Sequence, residues 1–213
     1  NKGRVYIKHT PALISKEPEI IEILQSNYNA LVPEIIDANI NLHCFLMKDS
    51  GESLRAVLKK KFDVKLVCKA IKQFTSLQIA VGNNTLPLLN VDVPNWGLKN
   101  IPKLFDDILK DKELMNNEDL SEYEIINLNE IKPKVSDLCL SLSEYALNET
   151  LVQPDCNDNN MVVKAGKVTL IDLGELSISH PFFSIINFLY VIRKQHGLEQ
   201  KGKAFQSIFK VAF

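Results

Sequence analysis

A single tryptophan, Trp96, and only eight glycines stand among 213 residues, and neither sign of charge is in excess. Lysine and arginine total 25 against 26 aspartates and glutamates, a formal net charge of −1. A surface without a basic excess has little with which to neutralise a row of phosphates, so nucleic acid is not expected as a partner. The four cysteines, Cys44, Cys68, Cys139 and Cys156, lie far apart and show no C-x-x-C spacing. That argues against a thiolate metal site or a disulfide framework and suits a reducing, cytoplasmic setting. No apolar run reaches the roughly 18–20 residues of a membrane span. The most apolar stretch, Pro181 to Ile192, is interrupted by Ser184 and Asn187. No secretory signal stands at the start, and no membrane partner is expected. The chain opens on Asn1 rather than methionine, and Phe205 to Phe213 reads as an amphipathic helix that stops without a cap. Both ends therefore read as cut, and a longer gene product is expected. Oligomeric state is left open.

What is present is a globular composition, 46% hydrophobic, in a chain long enough to bury most of its apolar surface. Arg4 to Lys8 alternates polar residues with the β-formers Val5, Tyr6 and Ile7 and reads as a strand. Ser15 reads as the N-cap of a short helix with Glu17 and Pro18 in its first turn and Ile20, Ile21 and Leu24 as its buried stripe. Ile35 to Ala38 and Leu42 to Met47 read as two further strands around the turn Asn39-Ile40-Asn41. Ser50-Gly51 breaks this pattern, and the chain turns helical. Helices are expected over Ser53 to Phe62, then from a cap at Asp63 to Gly82. Residues 83–94 read as a loop. Leu98 to Leu109 and Ser121 to Leu147 are helical stretches, the second split at Pro133. Met161 to Val163 and Val168 to Ile171 read as strands joined by the hairpin signal Lys164-Ala165-Gly166-Lys167. The outline is a small strand-rich lobe ahead of a larger helical lobe that carries one polar hairpin, an arrangement whose cleft favours a cofactor.

The chemistry concentrates between Leu151 and Gly174. Asp155, followed five residues later by Asn160, precedes the hairpin, and Asp172-Leu173-Gly174 follows it directly. Phosphoryl transfer needs a carboxylate near the attacking hydroxyl and oxygen ligands for Mg²⁺. Mg²⁺ takes one or two protein oxygens and leaves the other positions to phosphates and water. An Asp-Asn-rich turn alone is ordinarily a solvated loop. The hairpin, the second aspartate and the run His180-Pro181-Phe182-Phe183 set this one apart.

These residues resemble the Brenner motif and metal-binding aspartate of the aminoglycoside phosphotransferase and choline kinase-like family, which shares the protein-kinase fold. The resemblance extends weakly over nearly the whole chain and is strongest over residues 151–183. It implies an α+β, protein-kinase-like two-lobe fold. Residues 1–49 would form an N-lobe and residues 50–213 a helical C-lobe. It implies Asp155 as catalytic base or hydroxyl-orienting carboxylate, and Asn160 and Asp172 as Mg²⁺ ligands. Lys8 would reach the α- and β-phosphates of ATP or GTP, steadied by Glu17, and Met47 to Asp49 would meet the base edge. The reaction implied is transfer of the γ-phosphoryl group to a hydroxyl or amine of a small molecule.

The bland readings of the same residues differ. Lys8 alone is a strand-edge lysine, and Glu17 alone is a helix N-terminal acid with Glu19 as its competitor. His9, His43 and His180 read as packing or surface histidines. Trp96 reads as a partly buried loop anchor and, second, as an acceptor-site wall. Glu175 reads as a surface carboxylate. Three departures from the family pattern stand out. Gln153 replaces the usual histidine, Cys156 and Asn157 replace commoner apolar and histidine residues, and no glycine-rich turn precedes Lys8. About 20–40 further upstream residues, enough for two strands and a turn, are expected to carry that turn. The departures motivate a second reading, a catalytically silent nucleotide-binding or scaffold protein. A protein kinase ranks third, since the eight residues between Asp172 and Pro181 leave little room for a peptide-docking loop.

Overall fold

The computed structural model describes residues 3–118 and 120–212. Asn1, the first residue of the expected N-lobe, and Phe213, the last of the expected C-terminal helix, lie outside the described residues.

The first lobe begins with β1 (Val5–His9), one residue later than the sequence pattern places it, and continues into α1 (Glu17–Tyr28). Ser15 does not cap α1. A 3₁₀ turn over Ala12–Ile14 runs directly toward the helix, the Ser15 hydroxyl donates back to the Ala12 carbonyl, and Lys16 takes the cap position without a side-chain bond. The next strands are β2 (Ile35–Asn39) and β3 (Cys44–Lys48). Leu42 is not in β3, because the Asn39 side chain accepts from the Leu42 N–H and folds Ile40–Leu42 into another 3₁₀ turn. β3 lies between β1 and β2 in an antiparallel sheet, with Lys8 opposite Phe45.

Gly51 makes the passage between lobes at φ 124°, where a Cβ would sit 2.2 Å from the Val163 carbonyl oxygen, so only glycine fits the turn. β4 (Glu52–Ser53) then pairs with a later strand, and Ser53 caps α2 (Leu54–Lys60). Asp63 caps α3 (Val64–Asn83) by accepting from the Lys65 and Leu66 N–H groups. Val67, Ala70, Ile71, Phe74, Leu77 and Val81 recur every three or four residues along α3 and are buried, the stripe of a central helix. Residues 83–94 are not wholly loop, since they include the single turn α4 (Leu86–Leu89). The helices α5 (Ile101–Lys110), α6 (Lys112–Asn117), α7 (Glu122–Glu130) and α8 (Lys132–Ser143) pack largely on one another. The break between α7 and α8 falls beside Pro133, which sits in the first turn of α8 where its missing N–H costs nothing.

Two short ribbons complete the larger lobe. β5 (Thr150–Val152) pairs with β8 (Ser177–Ser179). Between them, β6 (Met161–Lys164) and β7 (Lys167–Leu170) form a hairpin. Its two turn residues, Ala165 and Gly166, both have positive φ, as a tight turn matched to strand twist requires. The helices α9 (Phe182–Gln195) and α10 (Lys203–Ala212) close the chain, α10 lying along α3. Among the described residues one contiguous core joins both lobes, from Ile20, Leu24 and Phe45 through Phe74 to Leu173 and Phe188. The architecture is α+β, and no described helix is long and apolar enough to cross a membrane.

His180 sits in this core, edge-on to Phe182 with ring centroids 4.9 Å apart. Burial lowers its pKa, against a smaller opposing pull from the Glu149 carboxylate. The folded state therefore holds the imidazole neutral, whereas the unfolded chain takes up a proton near the ordinary value of about 6.5. The contribution is full above that pH and is lost as pH falls below it. Melting temperature should drop more steeply from pH 7.5 to 5.5 in the native protein than in His180→Phe. Parallel curves would show that this histidine carries no proton-linked stability.

Candidate active site

The site lies where β1, α1, the β6–β7 hairpin and the residues after β5 converge. β1 delivers Lys8 to its open edge. The Lys8 ammonium lies 2.6 Å from Glu17 Oε2 and 2.5 Å from Asp172 Oδ1. Burial alone would push the lysine pKa down, but the hydrogen bonds to Asp172 and Glu17 outweigh it and hold the ammonium above its usual range. Lys8 therefore stays charged at neutral pH. Glu17 is almost wholly buried, and its other oxygen accepts the Leu173 N–H at 3.0 Å. One carboxylate thus fixes both the lysine and the segment that follows Asp172. Glu19, its competitor in the sequence, faces solvent.

Asp172 has φ 61°, a left-handed conformation that aspartate tolerates better than most residues. Gln153 holds it there: the Gln153 amide nitrogen donates to the carbonyls of Ile171 (3.1 Å) and Asp172 (2.8 Å). Gln153 therefore ties the loop before the hairpin to the segment after it.

Asp155 is exposed. Asn157 Nδ2 donates to one of its carboxylate oxygens (2.7 Å) and Asn160 Nδ2 to the other (3.0 Å). A carboxylate has about four lone-pair sites, so Asp155 keeps room for a hydroxyl proton. With its amide nitrogen committed to Asp155, Asn160 could hold a metal ion only through its side-chain carbonyl oxygen. The Ile171 N–H donates to the Asn160 backbone carbonyl at 3.0 Å and joins this residue to the Asp172 segment. One carboxylate and one amide oxygen form a donor set that fits Mg²⁺ completed by phosphates and water. Among the described residues no group of three or more histidine, cysteine, aspartate or glutamate side chains forms a protein-only metal cage.

Beneath the loop is a support that sequence reasoning missed. Asp158 is fully buried; Arg55 from α2 meets its Oδ1 at 2.8–2.9 Å and His196 Nε2 lies 2.8 Å from its Oδ2. Arg55 also donates to Asn157 Oδ1 (3.2 Å). From α9, Ser184 exchanges two hydrogen bonds with the Gln153 backbone, and Asn187 donates to the carbonyls of Pro154 and Cys156. Cys156 is buried among these groups, a core residue whose thiol burial keeps protonated.

Met47 lies in the central strand, next to the passage between lobes. Asp49 begins the turn that leads out of β3. Its N–H donates to the Arg4 carbonyl, its carboxylate accepts from the Gly51 N–H, and its carbonyl accepts from Lys164 Nζ. Its polar groups thus shape the turn. Glu175 and Trp96 line a cavity between the lobes with Ile14, Lys16 and Asp92, and the last two form an ion pair.

No protein-family model and no curated protein matches the sequence. Solved structures do match in fold. Aminoglycoside phosphotransferase APH(3'')-Id from Streptomyces rimosus, in complex with ADP and streptomycin, aligns at TM-score 0.61 and 14% identity, over 98% of this chain and 78% of that one. A choline/ethanolamine kinase family protein from Mesorhizobium loti aligns at TM-score 0.63 and 10% identity, over 100% of this chain and 64% of that one. An ethanolamine kinase from Plasmodium vivax aligns at TM-score 0.61 and 12% identity, over 99% and 66%. The chain thus spans about two thirds to four fifths of the length of these structures. At such identities the likeness shows the fold, the protein-kinase-like two-lobe fold of aminoglycoside phosphotransferases and choline kinases.

Proposed function

We propose that this chain supplies the nucleotide-binding lobe (1–49) and catalytic lobe (50–213) of a Mg²⁺-dependent small-molecule phosphotransferase. It would move the γ-phosphoryl group of ATP or GTP to a hydroxyl or amine. The observation that carries this reading is the meeting of Lys8, Glu17 and Asp172, residues up to 164 positions apart, in one linked set. The neighbouring complexes, one holding ADP with streptomycin and another GDP with kanamycin, support a nucleotide and a small acceptor in such a cleft. The free cysteines suit a cytoplasmic protein.

Asp155 orients the acceptor hydroxyl and takes its proton as the acceptor oxygen bonds to the γ-phosphorus. The bond from that phosphorus to the β-bridging oxygen breaks, and the nucleoside diphosphate leaves. Lys8 holds the α- and β-phosphates, and Glu17 keeps the lysine in place when the phosphates compete with Asp172 for it. Asn160 and Asp172 would hold Mg²⁺, which supplies charge neutralisation at the phosphates.

The second reading, a silent nucleotide binder or scaffold, starts from Gln153. Its two bonds to the carbonyls of Ile171 and Asp172 support the catalytic reading, because the loop and the metal-binding segment remain tied together. A thermal-shift titration with Mg²⁺ and ATP or GTP tests the shared premise. A ligand that binds only the folded state adds about 2.7 kcal/mol of stability at a hundredfold excess over its Kd. No shift with either nucleotide at millimolar concentration would overturn the proposal.

A further inference from the structure

A second cavity, about 670 Å³, opens beside the catalytic loop, with Pro154, the residue before Asp155, on its wall. Its size is that of a small-molecule site. One side is the apolar face of α5, through Leu104, Phe105 and Ile108; the other is the β5–β8 ribbon and the start of α9, through Val152 and Phe183. Trp96 separates this cavity from the interlobe cavity and lines both. Its backbone is pinned to β8: the Trp96 N–H donates to the Ile178 carbonyl, and the Trp96 carbonyl accepts the Ser179 hydroxyl.

The chemistry of the wall is selective. No charged side chain lines the cavity. Its hydroxyl-bearing side chains are Ser177 and Ser179, and Ser179 is already committed to the Trp96 carbonyl. Ser177 is fully buried, and its hydroxyl has no partner among the described residues. A buried hydroxyl without a partner is costly, so a ligand group that bonds it gains affinity and orientation. A polycationic acceptor would meet the reverse situation, giving up its hydration with no carboxylate on this wall to replace it.

Resting on the phosphotransferase reading, we propose that this cavity seats the body of the acceptor. The acceptor is then a neutral alcohol with an aromatic or alicyclic skeleton, rather than a polyamine sugar or a quaternary ammonium alcohol. Its apolar skeleton lies between α5 and the β5–β8 ribbon, a polar substituent bonds Ser177, and its reacting hydroxyl points past Pro154 to Asp155.

Trp96 is the one tryptophan of the chain, so its fluorescence reads occupancy without any turnover. The protein is titrated with cyclohexanol, 4-phenyl-1-butanol, choline and kanamycin, and the thermal shift with Mg²⁺-nucleotide is measured on the same sample. The two neutral alcohols are expected to shift Trp96 emission saturably, and choline and kanamycin are not. Leu104→Lys, at a half-buried position that tolerates a lysine, should abolish the alcohol response and leave the nucleotide shift intact. Ser177→Ala should weaken binding of a hydroxylated analogue such as 1,4-cyclohexanediol by about two- to tenfold, the worth of one net hydrogen bond. A normal nucleotide shift with no saturable alcohol response would overturn the cavity assignment alone. A response to choline or kanamycin that Leu104→Lys removes would overturn the neutral-alcohol assignment. Absence of any nucleotide shift would overturn the phosphotransferase reading, and this inference with it.

Discussion

Asp155→Asn is expected to slow phosphoryl transfer by about 10²–10⁴-fold, the usual range for a lost general acid–base group, while nucleotide affinity stays near normal. The amide keeps the shape of the carboxylate and one acceptor oxygen, so Asn157 and Asn160 retain part of their bonding to residue 155. What it loses is the charge that draws the hydroxyl proton. Asp172→Ala should differ in kind. It removes the second partner of Lys8 and, on the proposed reading, an oxygen that would hold Mg²⁺, so binding of the Mg²⁺-nucleotide should weaken along with turnover. Single-turnover rates and nucleotide Kd values measured on both variants separate the roles. Small and equal effects from both would favour the scaffold reading.

Asp158→Ala is expected to cost about 3–5 kcal/mol of stability, the usual loss when one partner of a buried charged network is removed. In a chain of this size that corresponds to a fall in Tm of roughly 6–20 °C. Arg55 would lose its main acceptor, and His196, packed 5.2 Å from the Phe62 ring, would face an empty space. Because Arg55 also reaches Asn157, which bonds Asp155, turnover should fall even at temperatures where the variant is folded. Urea unfolding checks the first part. A change below about 1 kcal/mol, the worth of an exposed pair, would show that the loop is held by Ser184 and Asn187 instead.

Local chemistry made much of the frame legible. The stripe from Leu66 to Leu77, the cap at Asp63 and the break at Pro133 are written in periodicity and in single residues with one backbone use. The Asp155–Asn160 turn, the hairpin and Asp172 are near one another in sequence, so their grouping needed no knowledge of the fold. The short strands were harder. β5 and β8 have three residues each and are buried on both faces, so neither shows the alternation by which a strand is recognised. Ser15 failed as a cap because a preceding 3₁₀ turn claimed its hydroxyl, a local competition that residue type alone does not resolve.

By itself, then, the sequence marked candidates for chemistry: a carboxylate and an amide on one loop and a second carboxylate past a hairpin. Their grouping requires only their neighbours, whereas the lysine on its strand was singled out by the family resemblance alone. Tertiary structure alone decided what those residues touch. It chose Glu17 over Glu19 as the partner of Lys8, since only Glu17 points inward from α1 toward Leu173. It turned Ser184 and Asn187, which merely interrupt an apolar run, into braces of the catalytic loop, and it converted Asp158, one more acid in a polar turn, into a buried anchor. The physical reason is common to these cases. A polar side chain is fixed by whichever donor or acceptor burial leaves it, and that partner is set by the packing of elements far apart in the chain.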